Sequence, residues 1–418
     1  MSDVPLSAVP PWTADRPGPK ALRSGTHRAA ALDDTWARIR PLLPVFGVTR
    51  LADITGLDTI GVPVTTAYRP NSRSLAVSQG KGVTRRASRV SAAMEAIEHA
   101  HGERIDLPLR LARYAELPSP VEPWRLPRTQ AQTVDEHTPL LWLEGRSLYD
   151  GAPVDVPFEA VSIDFTLPRG LTAAGLCRDS NGLAGGNTAL EAVVHALCEA
   201  IERDAFALWE LRPPGRQAAD AIAPRSFGDP DVDRLLDRFE AAGVETALFD
   251  ITSDIAVPAM LCQIVEADPD PFRPLPPAAG LGCHPHPAVA AARALTEAAQ
   301  SRLIAVSGAR DDLTRDAYHG ADDLAAGTAL RDLLRTRDPA ARPYGGPGAD
   351  HGTLGADLDW LLDRLAAAGL PEVVAVDLTR PGAGLPVLKV LVPGLEGAAA
   401  LSGAAAVPGP RARETADV

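Results

Sequence analysis

The sequence predicts an α+β fold with mixed or antiparallel sheets and three similar helices that carry acidic side chains. Two patterns predict this fold. Short β-type runs punctuated by Gly and Pro occur between long helical patterns, and three of the helices contain nearly the same tetrapeptide. The chain has 418 residues, of which 45% are apolar, so it is long enough to bury a large core. A small binding module is therefore not expected.

The first part of the chain is expected to contain an arm, a β-rich region and one long helix. Residues 1–30 are rich in Pro and small residues without a sustained period, which predicts a flexible N-terminal arm. A short helix is predicted at Leu32–Arg40, and β-like runs are predicted between Val48 and Pro70. Residues 78–82 are interpreted as a tight turn before a long helix that ends near Arg104. Prolines and short β-type segments dominate residues 105–175.

The rest of the chain predicts two further long helices, each after a glycine-containing turn, at 180–186 and at 280–287. A helix and two strands are predicted between them, in VDRLLDRFEAAG, VETALFDIT and VPAMLCQIVE. Residues 308–355 are polar and Gly/Pro-rich and are interpreted as an insertion or mobile loop. A helix and two strands follow, and residues 398–418 predict a flexible C-terminal tail.

The net charge of −13 excludes some classes of partner. Proteins that bind DNA or anionic membranes without specificity need a surplus of Lys and Arg, so neither nucleic acid nor membrane is expected as a partner. The sequence has no apolar run of membrane-spanning length and no signal-peptide pattern, which predicts a cytoplasmic location. The four cysteines lack CxxC spacing, so neither a disulfide framework nor a structural zinc site is expected.

Three similar tetrapeptides, about 100 residues apart, give the strongest functional signal. They are Glu95-Ala-Ile-Glu98, Glu199-Ala-Ile-Glu202 and Glu297-Ala-Ala-Gln300. Each places two polar groups at i and i+3 on one helix face, and a single pair of this kind is usually a solvated acidic stripe. Here the first two helices are dominated by Ala, Val, Leu and Ile, and acids in apolar surroundings need a cation between them. Such oxygen-rich clusters suit Mg²⁺ ions that bridge carboxylates to substrate phosphates.

Candidate hydrogen-bond donors for phosphate groups precede the first two of these helices. Gly80-Lys81-Gly82 comes before the first helix, and Ser180-Asn181-Gly182 with Gly185-Gly186-Asn187 comes before the second. Glycines let backbone N–H groups approach an anion, and a helix N-terminus adds a favourable dipole. The P-loop pattern GxxxxGK[ST] is absent from the sequence. The motifs together indicate a nucleotide site of another kind.

Four runs are similar to successive hallmarks of the YcaO family: SQGKGVTRRASRVSAAMEAIE, SNGLAGGNTALEAVVHALCEAIERDA, RALTEAAQSRL followed by RDD, and LPVLKVLVPGLEG. The resemblance covers about residues 46 to 397. It implies a YcaO-type fold with the three helices around an ATP site, in one catalytic domain over residues 31–397.

The resemblance also implies which residues bind ATP and Mg²⁺. They are Lys81, Ser91, Glu95, Glu98, Asn187, Glu191, Glu199, Glu202, Arg203 and Gln300. In this interpretation Glu95, Glu98, Glu191, Glu199 and Glu202 hold Mg²⁺, whereas Asn187, Arg203 and Gln300 help to bind the nucleotide. The resemblance also assigns Lys81 and Arg302 to the site. No residue is assigned as a catalytic acid, base or nucleophile.

Members of this family are understood to phosphorylate the oxygen of a peptide amide as a nucleophile adds to its carbon. Sulfide gives a thioamide, a Cys, Ser or Thr side chain gives an azoline, and an amine gives an amidine. Azoline-forming members often end in Pro-x-Pro-x-Pro, whereas this chain ends ARETADV. The run PLLPVFGVTRLADITGLDTIGVPVTTAYRPNSRSLAVSQGKG and the ending VPGLEG…VPGPRAR resemble members that work with a TfuA partner in thioamidation.

The prediction is therefore thioamide formation on a ribosomally made peptide with a TfuA-like partner. An azoline-forming cyclodehydratase or a macroamidine former is the alternative. A non-catalytic scaffold that binds leader peptide, and an ATP-dependent ligase or kinase acting on a small molecule, are further alternatives. A homodimer is an open expectation. Cys283-His284-Pro285-His286 is interpreted as a turn before a helix rather than as a metal site, and His195 as a core histidine.

Overall fold

The computed structural model describes residues 10–14, 16–129, 134–167, 175–269, 275–310, 321–336, 342–397 and 406–416. The helices are α1 (Pro11–Ala14), α2 (Leu32–Ile39), α3 (Arg85–Glu103), α4 (Phe158–Val161), α5 (Ala189–Glu210), α6 (Pro214–Ala219), α7 (Pro230–Ala241), α8 (Pro287–Ser307), α9 (Ala321–Thr336), α10 (Leu354–Ala367) and α11 (Pro410–Ala416). None of these helices is both long enough and apolar enough to cross a membrane.

The strands are β1 (Arg50–Asp53), β2 (Val64–Tyr68), β3 (Val77–Lys81), β4 (Arg110–Ala112), β5 (Arg128–Thr129), β6 (Leu140–Ser147), β7 (Pro153–Pro157), β8 (Leu183–Gly185), β9 (Ala221–Ile222), β10 (Val244–Asp250), β11 (Ala259–Glu266), β12 (Ala278–Cys283), β13 (Val374–Asp377), β14 (Val387–Leu391) and β15 (Ala406–Val407). They pair in antiparallel fashion. The fold is therefore α+β, as predicted.

The described strands form three larger sheets and one small one. The strand orders are β1-β2-β3, β12-β11-β10-β9 and β4-β6-β13-β14-β8, with β7 also paired to β6, and β15 pairs with β5. The strands β3, β8 and β12 each lie at an edge of their sheet. Each is followed by one of the three acidic helices, α3, α5 or α8. The echoed tetrapeptides therefore belong to three strand–helix units, one for each large sheet.

In the first and third units, a glycine of the strand allows the helix to lie directly on it. A Cβ atom on Gly80 of β3 would lie 2.0 Å from the backbone nitrogen of Ala92 in α3, and one on Gly280 of β12 would lie 2.1 Å from that of Ala298 in α8. These glycines were interpreted as turn residues, but they lie within strands. The prediction of turns at 78–82 and 280–283 is wrong because these glycines serve close strand–helix packing rather than chain reversal.

The central helix α5 carries the largest apolar core. Its buried side chains, such as Leu197 and Ile201, pack in one cluster with Leu261 of β11, Leu361 of α10 and Leu388 of β14. This core joins the four-stranded and six-stranded sheets through α5. The predicted helices at Leu32–Arg40 and in VDRLLDRFEAAG, and the strands in VETALFDIT and VPAMLCQIVE, are confirmed as α2, α7, β10 and β11.

Segments that the sequence assigned to an arm, a loop and a tail carry specific contacts. Within the expected N-terminal arm, Lys20 forms a fully buried ion pair of 2.7 Å with Asp357. The section 308–355 contains α9, although residues 311–320 and 337–341 lie outside the described residues. In the expected C-terminal tail, Arg411 of α11 pairs with Asp204 at 3.0 Å. These contacts link parts of the chain that lie far apart in sequence.

Candidate functional site

The first strand–helix unit presents Glu95 and Glu98 from α3. Glu98 is buried and accepts a hydrogen bond from the backbone N–H of Gly185 at 2.7 Å. Glu95 accepts one from the backbone N–H of Gln79 at 3.2 Å. Ser91 lies one turn before Glu95 on the same helix face. Each carboxylate is thus held by an N–H group of an edge strand, which sets its orientation.

The second unit presents the predicted residues of α5. Asn187 and Glu191 are buried, and the amide nitrogen of Asn187 donates to Glu191 at 3.2 Å. Glu202 has only 1% of its surface exposed, and its Oε2 atom has no hydrogen-bond partner among the described residues. Arg203 lies 3.4 Å from the other oxygen of Glu202. A buried carboxylate oxygen without a partner is costly unless a ligand or ion completes it.

The third unit adds Gln300 and a carboxylate that the sequence interpretation did not assign. The amide nitrogen of Gln300 lies 3.5 Å from the side-chain oxygen of Gln79. Glu297 pairs with Lys81 and lies 3.8 Å from Arg203. Glu297 is the first residue of the third tetrapeptide, so the repeat itself carried the signal for it.

The acidic side chains of the three helices share one electrostatic environment. Burial, together with the neighbouring Glu95 and Glu199 carboxylates, raises the pKa of Glu98 to about 8. Burial likewise raises the pKa of Glu95 and of Glu199 to about 7 each. The pKa of Glu202 is also raised, chiefly by burial. Burial disfavours ionisation of Glu297 as well, but Lys81 and Arg203 outweigh it and hold its pKa at about 2.

This arrangement fits bound Mg²⁺. When burial and mutual repulsion raise the pKa of carboxyl groups, a nearby cation stabilises their ionised form. Mg²⁺ is held in proteins by a few carboxylates and keeps its other positions for water and phosphate oxygens. The unpartnered oxygen of Glu202 and the crowding of Glu95, Glu98 and Glu199 are the features expected of such a site.

The N-terminal segment contributes residues that the sequence interpretation missed. The backbone N–H of Ala29 donates to Glu191 at 2.7 Å, and Nε of Arg28 lies 3.7 Å from the same carboxylate. Thr35 of α2 donates to the side-chain oxygen of Asn187 at 2.9 Å. No periodicity marked these residues, because Arg28 lies in a stretch rich in small residues and Thr35 in a short surface-type helix.

Several other predicted residues have a local structural explanation. Arg302 is buried and pairs with Asp58 and Glu266 at 3.0 Å each, which indicates a structural role. His195 lies 3.1 Å from Arg293, and burial holds its pKa well below the usual value, so it is neutral. Nδ1 of His284 accepts a hydrogen bond from the backbone N–H of His286 at the start of α8, as expected for a turn. Of the predicted RDD run, Asp311 and Asp312 lie outside the described residues.

Comparisons with known proteins identify the family. The model described as YcaO cyclodehydratase, ATP- and Mg²⁺-binding, matches residues 79–396. The chain belongs to the YcaO family. ATP and Mg²⁺ are accordingly its cofactors, as the sequence predicted.

Relatives of this YcaO protein are known from bacteria and archaea. An uncharacterized protein in the tfuA 3′ region of Rhizobium leguminosarum bv. trifolii is 39% identical over 376 residues, which cover 88% of each chain. An uncharacterized protein of Methanothermobacter thermautotrophicus is 36% identical over 369 residues, covering 85% of this chain and 91% of its own length.

Solved structures share the YcaO fold. The structure of YcaO from Methanopyrus kandleri bound with AMPPCP and Mg²⁺ has a TM-score of 0.72 at 23% identity and covers 94% of this chain and 98% of its own. A heterocyclase in complex with substrate and cofactor has a TM-score of 0.70 at 26% identity. That comparison covers 93% of this chain and 56% of the heterocyclase.

Proposed function

We propose that this YcaO protein uses Mg-ATP to activate a backbone amide of a ribosomally made peptide and that a sulfide donor converts the amide to a thioamide. The observation that carries the proposal is the buried carboxylate cluster of α3, α5 and α8, which includes the unpartnered oxygen of Glu202. The relative encoded in a tfuA region supports the thioamide product and a TfuA-like partner.

The geometry supports a division of roles among the predicted residues. Glu95, Glu98, Glu191, Glu199 and Glu202 would hold Mg²⁺. Ser91, Asn187, Arg203 and Gln300 would bind the nucleotide, and Lys81 would leave Glu297 to contact a phosphate. Arg28 and Thr35 join this set, because they contact Glu191 and Asn187 directly. The bound metal supplies positive charge that offsets the charge of the phosphates.

The reaction balances without an oxidant or a reductant. Hydrosulfide adds to the amide carbon, and the amide oxygen takes the terminal phosphoryl group of ATP. The C–O bond then breaks, phosphate leaves with the former amide oxygen and takes up the S–H proton, and a C=S double bond remains. The products are ADP, phosphate and the thioamide. The residues named above would bind the phosphates, and the positive side chains of Lys81 and Arg203 would stabilise the charge that develops on them.

Azoline formation is the second candidate, because a heterocyclase shares the fold at 26% identity. In that reaction a Cys, Ser or Thr side chain replaces sulfide as the nucleophile and the peptide loses water. The relative in a tfuA region, 39% identical to this chain, favours thioamidation.

Mass spectrometry of a precursor peptide encoded near this gene tests the proposal. The peptide is incubated with the purified protein, a neighbouring TfuA-like protein, Mg-ATP and sulfide. A gain of about 16 mass units, from oxygen replaced by sulfur, is the expected result. A loss of about 18 mass units establishes cyclodehydration instead. An unchanged peptide with ATP turnover on a small molecule supports a ligase or kinase, and an unchanged peptide without ATP turnover supports a scaffold.

A further inference from the structure

A cavity of about 510 Å³ lies beside the C-terminal end of α3, outside the carboxylate cluster. Its walls come from the residues that follow α3, from β6, from α4 and from the segment around Arg178. It is partly open to solvent, and Arg104 and Asp106 in its lining are exposed. The functional assignment made so far does not use this cavity.

The charged groups in the walls are largely neutralised by one another. Arg73 pairs with Asp164 at 2.7 Å, and Arg178 lies 3.6 Å from Glu159. Glu103 is held by the guanidinium of Arg69 and by two serine hydroxyls. A site for phosphate groups needs an excess of positive charge, which these pairs do not leave. The cavity therefore suits a ligand without strong net charge.

Apolar surface remains accessible between these pairs. Ile105, Leu141 and Phe158 line the cavity and are each only partly buried. Ligand sites typically combine such apolar walls with a few polar groups that orient the ligand. Partly exposed apolar side chains among paired ions match a segment of peptide, whose backbone is polar but uncharged and whose side chains include apolar ones.

Two stretches of chain connect the cavity to the carboxylate cluster. Along α3, Glu98 of the cluster and Glu103 of the cavity wall are separated by about 7.5 Å of helix axis. The second stretch runs from Arg178 in the wall to Gly185, whose N–H binds Glu98. Lys389 anchors this stretch through a hydrogen bond of 2.8 Å to the carbonyl oxygen of Asp179. An extended peptide advances by about 3.3 Å per residue, so a few residues would lead from the cavity toward the cluster.

We infer that this cavity binds the peptide substrate, close to the amide that is modified, with an apolar side chain of the peptide on Ile105, Leu141 and Phe158. The inference rests on the proposed function, since it supplies the peptide-binding part of that site. The peptide is then bound in the cavity between α3 and the segment 175–185. The nucleotide is bound at the carboxylate cluster, beyond Gly185.

The test measures peptide affinity separately from turnover. A fluorescent precursor peptide is titrated into the protein, and product formation is followed by mass spectrometry in parallel. Leu141→Ala and Phe158→Ala are expected to raise the peptide Kd about 5- to 10-fold and to leave the KM for ATP unchanged. Leu211→Ala removes the same atoms as Leu141→Ala from an exposed position after α5, outside the cavity, and is the matched control. Arg104→Trp narrows the mouth without removing buried atoms and is expected to weaken peptide binding similarly.

The outcomes separate this inference from the proposed function. If the wild-type protein modifies the peptide and the three cavity variants bind it as the control does, the cavity assignment is wrong while the proposed function stands. If the wild-type protein binds the peptide without modifying it, and the cavity variants bind it more weakly, the assignment holds and the proposed reaction fails. Wild-type protein that does not bind the peptide contradicts both. Thermal melting identifies any variant that fails to fold, and Arg104→Trp then decides alone.

Discussion

The ammonium group of Lys81 pairs with the carboxylate of Glu297, which lies 216 residues further along the chain. The pair joins β3 of the first strand–helix unit to α8 of the third. Arg203 of the second unit lies 3.8 Å from the same carboxylate. One carboxylate therefore contacts cations from two other units, and these contacts set how the three helices face one another around the cluster.

The substitution Glu202→Gln is expected to abolish Mg-ATP-dependent turnover, with a loss of at least about 100-fold. The amide keeps the shape of the side chain but lacks the charge that a hard cation requires. Because a neutral amide is easier to bury than a carboxylate, Tm should be unchanged or higher. ATP turnover and thermal melting measure the two effects. Glu210→Gln, at the exposed end of the same helix, is the control. Near-normal ATP turnover in Glu202→Gln would contradict the assignment of Glu202 to the site.

The affinity for Mg²⁺ is expected to rise with pH. In the metal-free protein the pKa of Glu98 is about 8 and that of Glu199 is about 7, so both groups carry protons at pH 6 and must lose them to bind the metal. Titration of Mg²⁺ with a non-hydrolysable ATP analogue should show at least about tenfold tighter binding at pH 8.5 than at pH 6. Glu98→Gln should flatten this dependence. Equal affinity at the two pH values would contradict the raised pKa values.

The same pKa values predict how pH affects the stability of the metal-free protein. The pKa of Glu98 rises from about 4.5 in the unfolded chain to about 8 in the folded protein, so the folded protein binds more protons in that window. The stability that this group contributes is therefore fully present below about pH 4.5 and is lost as pH rises through 8. Denaturant unfolding should show that the free energy of unfolding falls less between pH 5 and pH 8 in Glu98→Gln than in the wild-type protein. An equal loss of unfolding free energy in the two proteins over this pH range would contradict this.

A methyl group on β3 should disturb the first strand–helix unit. In Gly80→Ala the new Cβ atom would meet backbone atoms of Ala92 in α3 at 2.0 Å, so α3 and Glu95 must move. A destabilisation of about 3 kcal/mol or more is expected, together with weaker Mg-ATP binding. Gly56→Ala has open space around the new atom and serves as the control. Urea unfolding measures the change, and equal stability of the two variants would show that the packing is looser than described.

Arg411 is expected to stabilise the protein from its C-terminal helix. Asp204 is fully buried, and burial raises its pKa to about 6 although Arg411 lowers it. Arg411→Gln leaves this carboxylate without its cation, so a loss of about 3 kcal/mol is expected at pH 8. The loss should be smaller at pH 5, where Asp204 can take up a proton. Arg413→Gln, exposed on the same helix, should have little effect. Equal losses for the two variants would contradict a specific Arg411–Asp204 contact.

The repeated tetrapeptides predicted the helices and most of the carboxylate cluster. Helical spacing places Glu95 with Glu98 and Glu199 with Glu202 on single faces, and apolar neighbours predict that those faces are buried. Local sequence determines these features, so the sequence alone indicated them. Glu297 followed the same repeat but was not assigned, because its partner residue is a glutamine and the acidic pair is incomplete.

Contacts between distant segments could not be predicted in the same way. Lys20, Arg28 and Arg411 lie in stretches whose composition is typical of flexible arms. Each has a buried acidic partner far away in the chain, and no periodicity or spacing signals such a partner. Gly80 was misassigned for a related reason. The sequence alone does not distinguish a glycine in a turn from a glycine in a strand that packs closely against a helix.

The fate of the amide oxygen tests the central claim most directly. A precursor peptide carrying ¹⁸O in the amide that is modified is incubated with the protein, its partner, Mg-ATP and sulfide, and the released phosphate is analysed by mass spectrometry. Activation by phosphorylation of the amide predicts that the label moves into phosphate in a one-to-one ratio with product. Unlabelled phosphate alongside a modified peptide would contradict the account, because the amide oxygen would then have left by another route.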